Sequence, residues 1–278
     1  MQQALLKTHF RRVLDARGYN DVDDSEVEWS LGYCQGDGVA FYSKISGLTD
    51  LAKRAFPDDA NKVALIEAAA EHLSVRIERN SFGHHYSHFN TMEVIEDGWL
   101  PEDVETAHQR LHLKRIEDAF TAFLKWLEED VRDTSRLMER DGYKILEAGS
   151  PGFFSPETTE CENDRQYVVA ERRALGHLTA EIRVYEPCYS DNTLLDDEAV
   201  GELLDGILKG DTIYYEPAVV LLDEDEIGRS EMGVITDLSV FPSPYLGSLA
   251  SELIQQALDD AGETVYVSAD EDEFADAA

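Results

Sequence analysis

The chain has 278 residues, 43% of them apolar and 9% aromatic, so it can fill a core and is not a disordered acidic polymer. Its 58 acidic against 24 basic residues leave a formal net charge of -34. That field repels phosphate backbones and argues against direct nucleic-acid binding, whose affinity comes from Lys and Arg releasing counterions.

The charge is uneven. Residues 1–143 carry 27 acids and 17 bases, net -10, whereas residues 144–278 carry 31 acids and 7 bases, net -24. No apolar run of about 18 residues is present to span a membrane. The opening MQQALLKTHFRR lacks the apolar centre and small-residue cleavage site of a signal peptide, so a cytoplasmic location is expected. Cys34, Cys161 and Cys188 are widely spaced and outside any CxxC pattern, which points to reduced thiols without a disulfide framework or zinc site.

In chain order, Leu5, Phe10, Val13 and Leu14 predict a first helix that stops at Gly18. The acidic stretch Asp21 to Glu28 leads into VEWSLGYCQGDGVAFYSKI, read as two antiparallel strands about Gly36-Asp37-Gly38. DDANKVALIEAAAEHL reads as a helix, LSVRIERNS as a half-buried strand, and FGHHYSHFNTMEVIE as its partner across Gly83. From Pro101 to about Arg140, Ile116, Phe120, Phe123, Leu127 and Val131 repeat at helical intervals and predict the longest helix.

Gly149 to Asp164 concentrates Pro, Gly and polar residues and reads as a linker. Beyond it RQYVVAERRAL and LTAEIRVYE predict strands, LDDEAVGELLDGIL a short helix, TIYYEPAVVLLD a strand and SLASELIQQALDDAG a closing helix. SADEDEFADAA reads as a frayed acidic tail. The expected architecture is α+β, with antiparallel strands, packed helices and one long amphipathic helix. It divides into an N-terminal domain over 1–148, a linker over 149–164 and an acidic C-terminal domain over 165–278.

Nothing singles out a reaction. His84, His85 and His88 lie within five residues near a strand, where His84 and His88 share a face. A zinc site there requires Cys34, Asp37 or a distant carboxylate, and a hydrogen-bonded strand surface is the plainer reading. Cys34 as a nucleophile would need an adjacent imidazole and an electropositive setting, which an acidic protein does not offer. Walker, GxGxxG, kinase, nucleophile-elbow and HExxH patterns are all missing.

Acidic arrays remain: Asp196, Asp197 and Glu198 with Glu202 and Asp205 on a short helix, Asp223, Glu224, Asp225 and Glu226 in a loop, and Asp270 to Glu273 in the tail. Duplex DNA carries about one charge per 1.7 Å, so 24 net charges match roughly 40 Å of duplex. Carboxylates so spaced suit the basic groove of a nucleic-acid-handling protein. Solubility is the alternative use of such charge.

The segment Tyr33 to Phe41, YCQGDGVAF, resembles one shared by phage and prophage proteins commonly labelled putative antitoxins. Further similarity lies in GHHYSHFNTMEV, FTAFLKWLEEDV, EIGRSEMGVITDL and YLGSLASELIQQAL, although EIGRSEMGVI is looser than the glycine-leucine-glycine run of that group. The resemblance implies a mobile-element origin and carries no catalytic residues.

The sequence thus leads to a non-enzymatic phage-type accessory protein of the host cytoplasm. It would bind and inhibit a basic nucleic-acid-handling or defence host protein through its acidic surface, without cofactor, metal, membrane or direct nucleic acid. An antitoxin neutralising a cognate toxin and a small metal-dependent enzyme using His84 and His88 are the alternatives. An exposed apolar flank on the 101–140 helix would favour a homodimer.

Overall fold

The computed structural model describes residues 2–34, 36–79, 92–100, 106–150, 160–162, 165–187, 197–238 and 244–263. It has the expected α+β class, with antiparallel sheets. Two compact units are present, an N-terminal unit over residues 6–143 and a C-terminal unit from residue 144 onward together with residues 1–5.

The N-terminal unit holds most of helix α1 (Gln2–Ala16), the hairpin β1 (Val27–Ser30) and β2 (Gly38–Phe41), and strand β3 (Ser43–Ile45). Helices α2 (Leu48–Ala55) and α3 (Ala60–Ala70), strands β4 (Leu73–Arg79) and β5 (Met92–Gly98), and α4 (Ala107–Ala148) up to Tyr143 complete it. In α1, Leu5, Leu6, Phe10, Val13 and Leu14 are buried on one stripe, and Gly18, at φ 78°, ends it in the left-handed conformation that glycine adopts without strain. Gly18 N–H then donates to the Asp15 carbonyl and Tyr19 N–H to that of Leu14.

The expected hairpin is present, with Val27 opposite Phe41 and Ser30 opposite Gly38. The acids before it serve the backbone: the Asp23 carboxylate accepts from Ser25 N–H, and that of Glu26 accepts from Asp23 N–H. Strand β4 lies between β3 and β5, and β5 is formed by Met92–Gly98. The histidine-rich part of the expected partner strand, including His84, His85 and His88, lies outside the described residues.

Helix α4 begins later and ends later than its apolar repeat suggests. Ile116, Phe120, Phe123, Leu127, Val131 and Met138 are buried, and polar residues continue the same stripe. Asp130 accepts from Tyr19 Oη at 2.7 Å, Arg54 Nη2 at 2.7 Å and Arg17 Nη1 at 3.1 Å. Ser135 Oγ donates to the Val39 carbonyl, so a hydroxyl on α4 fixes the central backbone of β2.

His9 faces α4 with Nε2 3.4 Å from Asp141 Oδ2, outside hydrogen-bond geometry. Burial lowers its pKa, against the pull of Asp141 and with Arg12 and Arg140 reinforcing the drop. A histidine that takes up its proton less readily when folded makes stability fall as pH drops through the unfolded value of about 6.5. His9→Gln is therefore expected to flatten the decline in melting temperature between pH 7.5 and 5. Thermal melts across that range measure it.

The C-terminal unit is built on a six-stranded antiparallel sheet. Its strands are β6 (Glu160–Glu162), β7 (Arg165–Leu175), β8 (Leu178–Tyr185), β9 (Thr212–Asp223), β10 (Asp225–Glu231) and β11 (Ile235–Leu238). Their order is β10-β9-β8-β7-β6, with β11 also on β9. Helix α5 (Asp197–Lys209) precedes β9, and α6 (Pro244–Ala261) follows β11. Glu160–Glu162, inside the segment read as a linker, is thus an edge strand, and Asp225 and Glu226, read as loop, begin β10.

One sheet face carries Val168, Ala180, Ile182, Val184, Val219 and Leu221 against Leu246, Leu249, Leu253, Ile254 and Leu258 of α6. The approach is close enough that a β-carbon on Gly228 would sit 2.6 Å from the Ala257 carbonyl oxygen and 2.8 Å from Ala261 Cβ. Backbone on both sides cannot yield, so Gly228→Val is expected to cost about 2–3 kcal/mol. A shift of the urea midpoint of unfolding measures it.

Candidate partner-binding surface

The opposite sheet face explains where the positive charge of this unit goes. Strand alternation places Glu160 and Glu162 of β6, Arg165, Tyr167 and Arg172 of β7, Glu181, Arg183 and Tyr185 of β8, Glu216 of β9, and Arg229 and Glu231 of β10 on it. Arg183 donates to Glu181 at 2.8 Å and to Glu162 at 3.3 Å, and Arg172 donates to Glu181 at 2.8 Å. Arg165 pairs with Glu216. Arg183 lies 4.7 Å over the Tyr167 ring, and Arg165 and Arg229 lie 5.0 and 5.2 Å over Tyr185.

Arg229 on one edge strand also reaches Glu162 on the other, at 3.1 Å. Flat, those strands would be about 19 Å apart, and two such side chains together span roughly 11 Å. The sheet is therefore strongly curled with this face concave, and its charged groups pair with one another across the strands.

Electrostatics keep the network ionised. Burial pulls the Glu181 carboxyl up, but Arg183 and Arg172 outweigh it and hold its pKa below the ordinary value. The same balance, with Tyr185 and Arg229, depresses Glu162. Burial and its bond to Glu160 push the Tyr167 phenol up to about 12, so it stays a neutral donor.

Residues 144–278 contain five arginines, and four of them, Arg165, Arg172, Arg183 and Arg229, are held in this way. The fifth, Arg173, pairs with Glu171 at 2.6 Å. The exposed carboxylates lie elsewhere. Glu202 and Asp205 are on the outer side of α5, and Asp223, Glu224 and Asp225 are exposed about the β9–β10 turn, beside the equally exposed Glu226, which lies 3.8 Å from Arg229. Asp197 and Glu198 open α5, while Asp196 and Asp270 to Glu273 lie outside the described residues.

These acids do not form one patch. Gly206 of α5 packs on Thr212 at the start of β9, whereas the turn follows its far end, up to about 36 Å away along an extended strand. At the turn, Glu224 takes a left-handed φ of 66°, and the backing of Gly228 on Ala257 and Ala261 brings the exposed Asp259 and Asp260 to the same end. Sequence reasoning missed these two; the acidic end of an amphipathic helix was their only signal.

The Asp37 loop is a separate construction. Asp37, 7% exposed, accepts from Ser30 Oγ at 3.0 Å, Gly32 N at 2.7 Å, Cys34 N at 2.9 Å, Cys34 Sγ at 3.1 Å and Tyr143 Oη at 2.6 Å. Burial raises its pKa, but these donors outweigh it and hold the carboxyl well below the usual range. Five donors already exceed the roughly four lone-pair sites of a carboxylate, so Asp37 has none left for a metal. Its acceptance of the thiol proton pushes the Cys34 pKa up, opposite to the activation a nucleophile needs.

Among the described residues, no group of three His, Cys, Asp or Glu is placed to hold a metal ion. No helix among them is long and apolar enough to cross a membrane. Tyr33 in this loop is left-handed at φ 56°, a conformation costing a bulky residue about 1–2 kcal/mol. Its ring lies against that of Tyr143, tilted by 32° with centroids 4.4 Å apart.

Asp37→Asn keeps the volume but turns an amide N–H₂ toward the donors. It is expected to destabilise the N-terminal unit by about 2–4 kcal/mol, measured by denaturant unfolding at neutral pH. Comparison of the chain with family models, curated proteins and solved structures gives no match.

Proposed function

We propose that this chain is a non-enzymatic binding protein, of the phage accessory kind its YCQGDGVAF segment resembles, that occupies the basic surface of a nucleic-acid-handling or defence protein of the host. The observation that carries the reading is charge segregation. Four of the five arginines of the acidic half are paired with glutamates on the charged sheet face, Arg172 at its exposed margin, so the carboxylates elsewhere in this half carry nearly all of its net charge.

The two carboxylate patches at the ends of β9 lie up to about one duplex turn apart, since a turn is about 34–36 Å. That spacing favours a partner whose basic residues follow a phosphate path. An antitoxin is the case in which the partner is a cognate toxin, and it would use the same surface. The metal-dependent reading loses Asp37 as a ligand and needs Cys34 or a distant carboxylate beside His84 and His88.

Affinity capture of the intact protein from host lysate, followed by binding measurements with the retained protein, tests the proposal. A basic nucleic-acid-handling partner is expected, with affinity falling steeply as salt rises. Changing Asp223, Glu224, Asp225 and Glu226 together to their amides is expected to weaken binding about tenfold to a hundredfold, mostly through the association rate, with unchanged melting temperature. Salt-independent binding, or full affinity in that variant, would overturn the reading.

A further inference from the structure

The protein repeatedly uses one arrangement to hold an arginine: a tyrosine face with a carboxylate beside it. Arg79 lies 5.5 Å over Tyr42 and pairs with Glu28, Arg183 lies over Tyr167 and pairs with Glu181, and Arg229 lies over Tyr185 and pairs with Glu162. The same ingredients recur on the outside of the Asp37 loop. The Tyr33 ring is 68% exposed and lies tilted against that of Tyr143, and Glu139, half-buried, sits one turn before Tyr143 on the same side of α4.

We propose that Tyr33, Tyr143 and Glu139 form a receptor for an arginine side chain projecting from a basic partner. Three features fit that ligand. The Asp37 hydrogen bonds hold the loop and the Tyr143 hydroxyl in place before binding, so little ordering remains. Burial and the nearby Asp37 charge push the Glu139 pKa up, the sign of a carboxylate beside another negative group, and an arriving cation relieves that repulsion. Arg136 on α4 draws that pKa only partly back, and it also reaches Asp133 at 3.4 Å. A planar guanidinium can stack on a ring and donate to a carboxylate at once, which an ammonium does less well.

This inference rests on the reading that the partner is a basic protein, and its test is kept separate from that reading. The full chain is titrated with acetyl-Gly-Arg-Gly-amide and with the neutral citrulline peptide, followed by NMR. Saturable upfield movement of the arginine side-chain protons is expected, absent for citrulline and weakened at least about tenfold in both Tyr33→Leu and Glu139→Gln. The amide variant at Asp223 to Glu226 is expected to bind the arginine peptide normally. Equal binding of citrulline, or full binding in either receptor variant, overturns the receptor whether or not a basic partner is captured. Failure of capture with arginine binding intact leaves the receptor standing and removes the surface reading.

Discussion

An arginine buried in a sheet must bring its carboxylates with it, and that constraint organises the C-terminal unit. Glu181 and Arg183 are each less than a tenth exposed, and they are hydrogen-bonded to each other at 2.8 Å. Removing two charges from water costs several kcal/mol per ion unless geometry and hydrogen bonds repay it. Repayment comes from curling: with the sheet concave, Arg229 and Glu162 meet across its width and the guanidiniums of Arg165, Arg183 and Arg229 rest on phenol rings. The apolar residues go to the other face, under α6, and the surplus acids have only the outside left.

The N-terminal unit solves the opposite problem, anchoring a long helix that carries polar residues on its buried stripe. Asp130 is matched by two arginines and a phenol, Ser135 by a carbonyl of β2, and Tyr143 by Asp37. Each joins α4 to a distant segment of this unit, so the helix sets the position of α1, α2 and the β1–β2 hairpin together. Tyr33, in a left-handed turn of the loop that folds around Asp37, lies against Tyr143 on this anchor.

Much of this fold was legible where burial imposes a period. The α+β class, the β1–β2 hairpin, α3 with its Asp59 cap, β7 to β9 and α6 follow from apolar alternation or helical spacing. Strand β10 was not legible, because DEIGRSE turns Gly228 and Ser230 toward the core and acids or Arg229 away from it, leaving no apolar alternation. Helix α4 was cut short at Arg140 because Ser135 and Asp141 interrupt its apolar stripe before Ile145 and Ala148 resume it. The role of Asp37 depends on Tyr143, 106 residues away, and the fate of the arginines depends on glutamates of other strands. Such pairings belong to tertiary structure and leave no local mark.

The central claim is that the outward carboxylates of the C-terminal unit, not its ion-paired sheet face, meet a basic partner. Carboxyl footprinting with a water-soluble carbodiimide and glycine ethyl ester, alone and with the captured partner, tests it directly. The account predicts that Glu181 and Glu162 are unreactive in both states, and that Asp223, Glu224, Asp225, Glu226, Asp259 and Asp260 react freely alone and become protected on binding. Protection confined to other carboxylates, or reactivity of the turn unchanged by a bound partner, would contradict it.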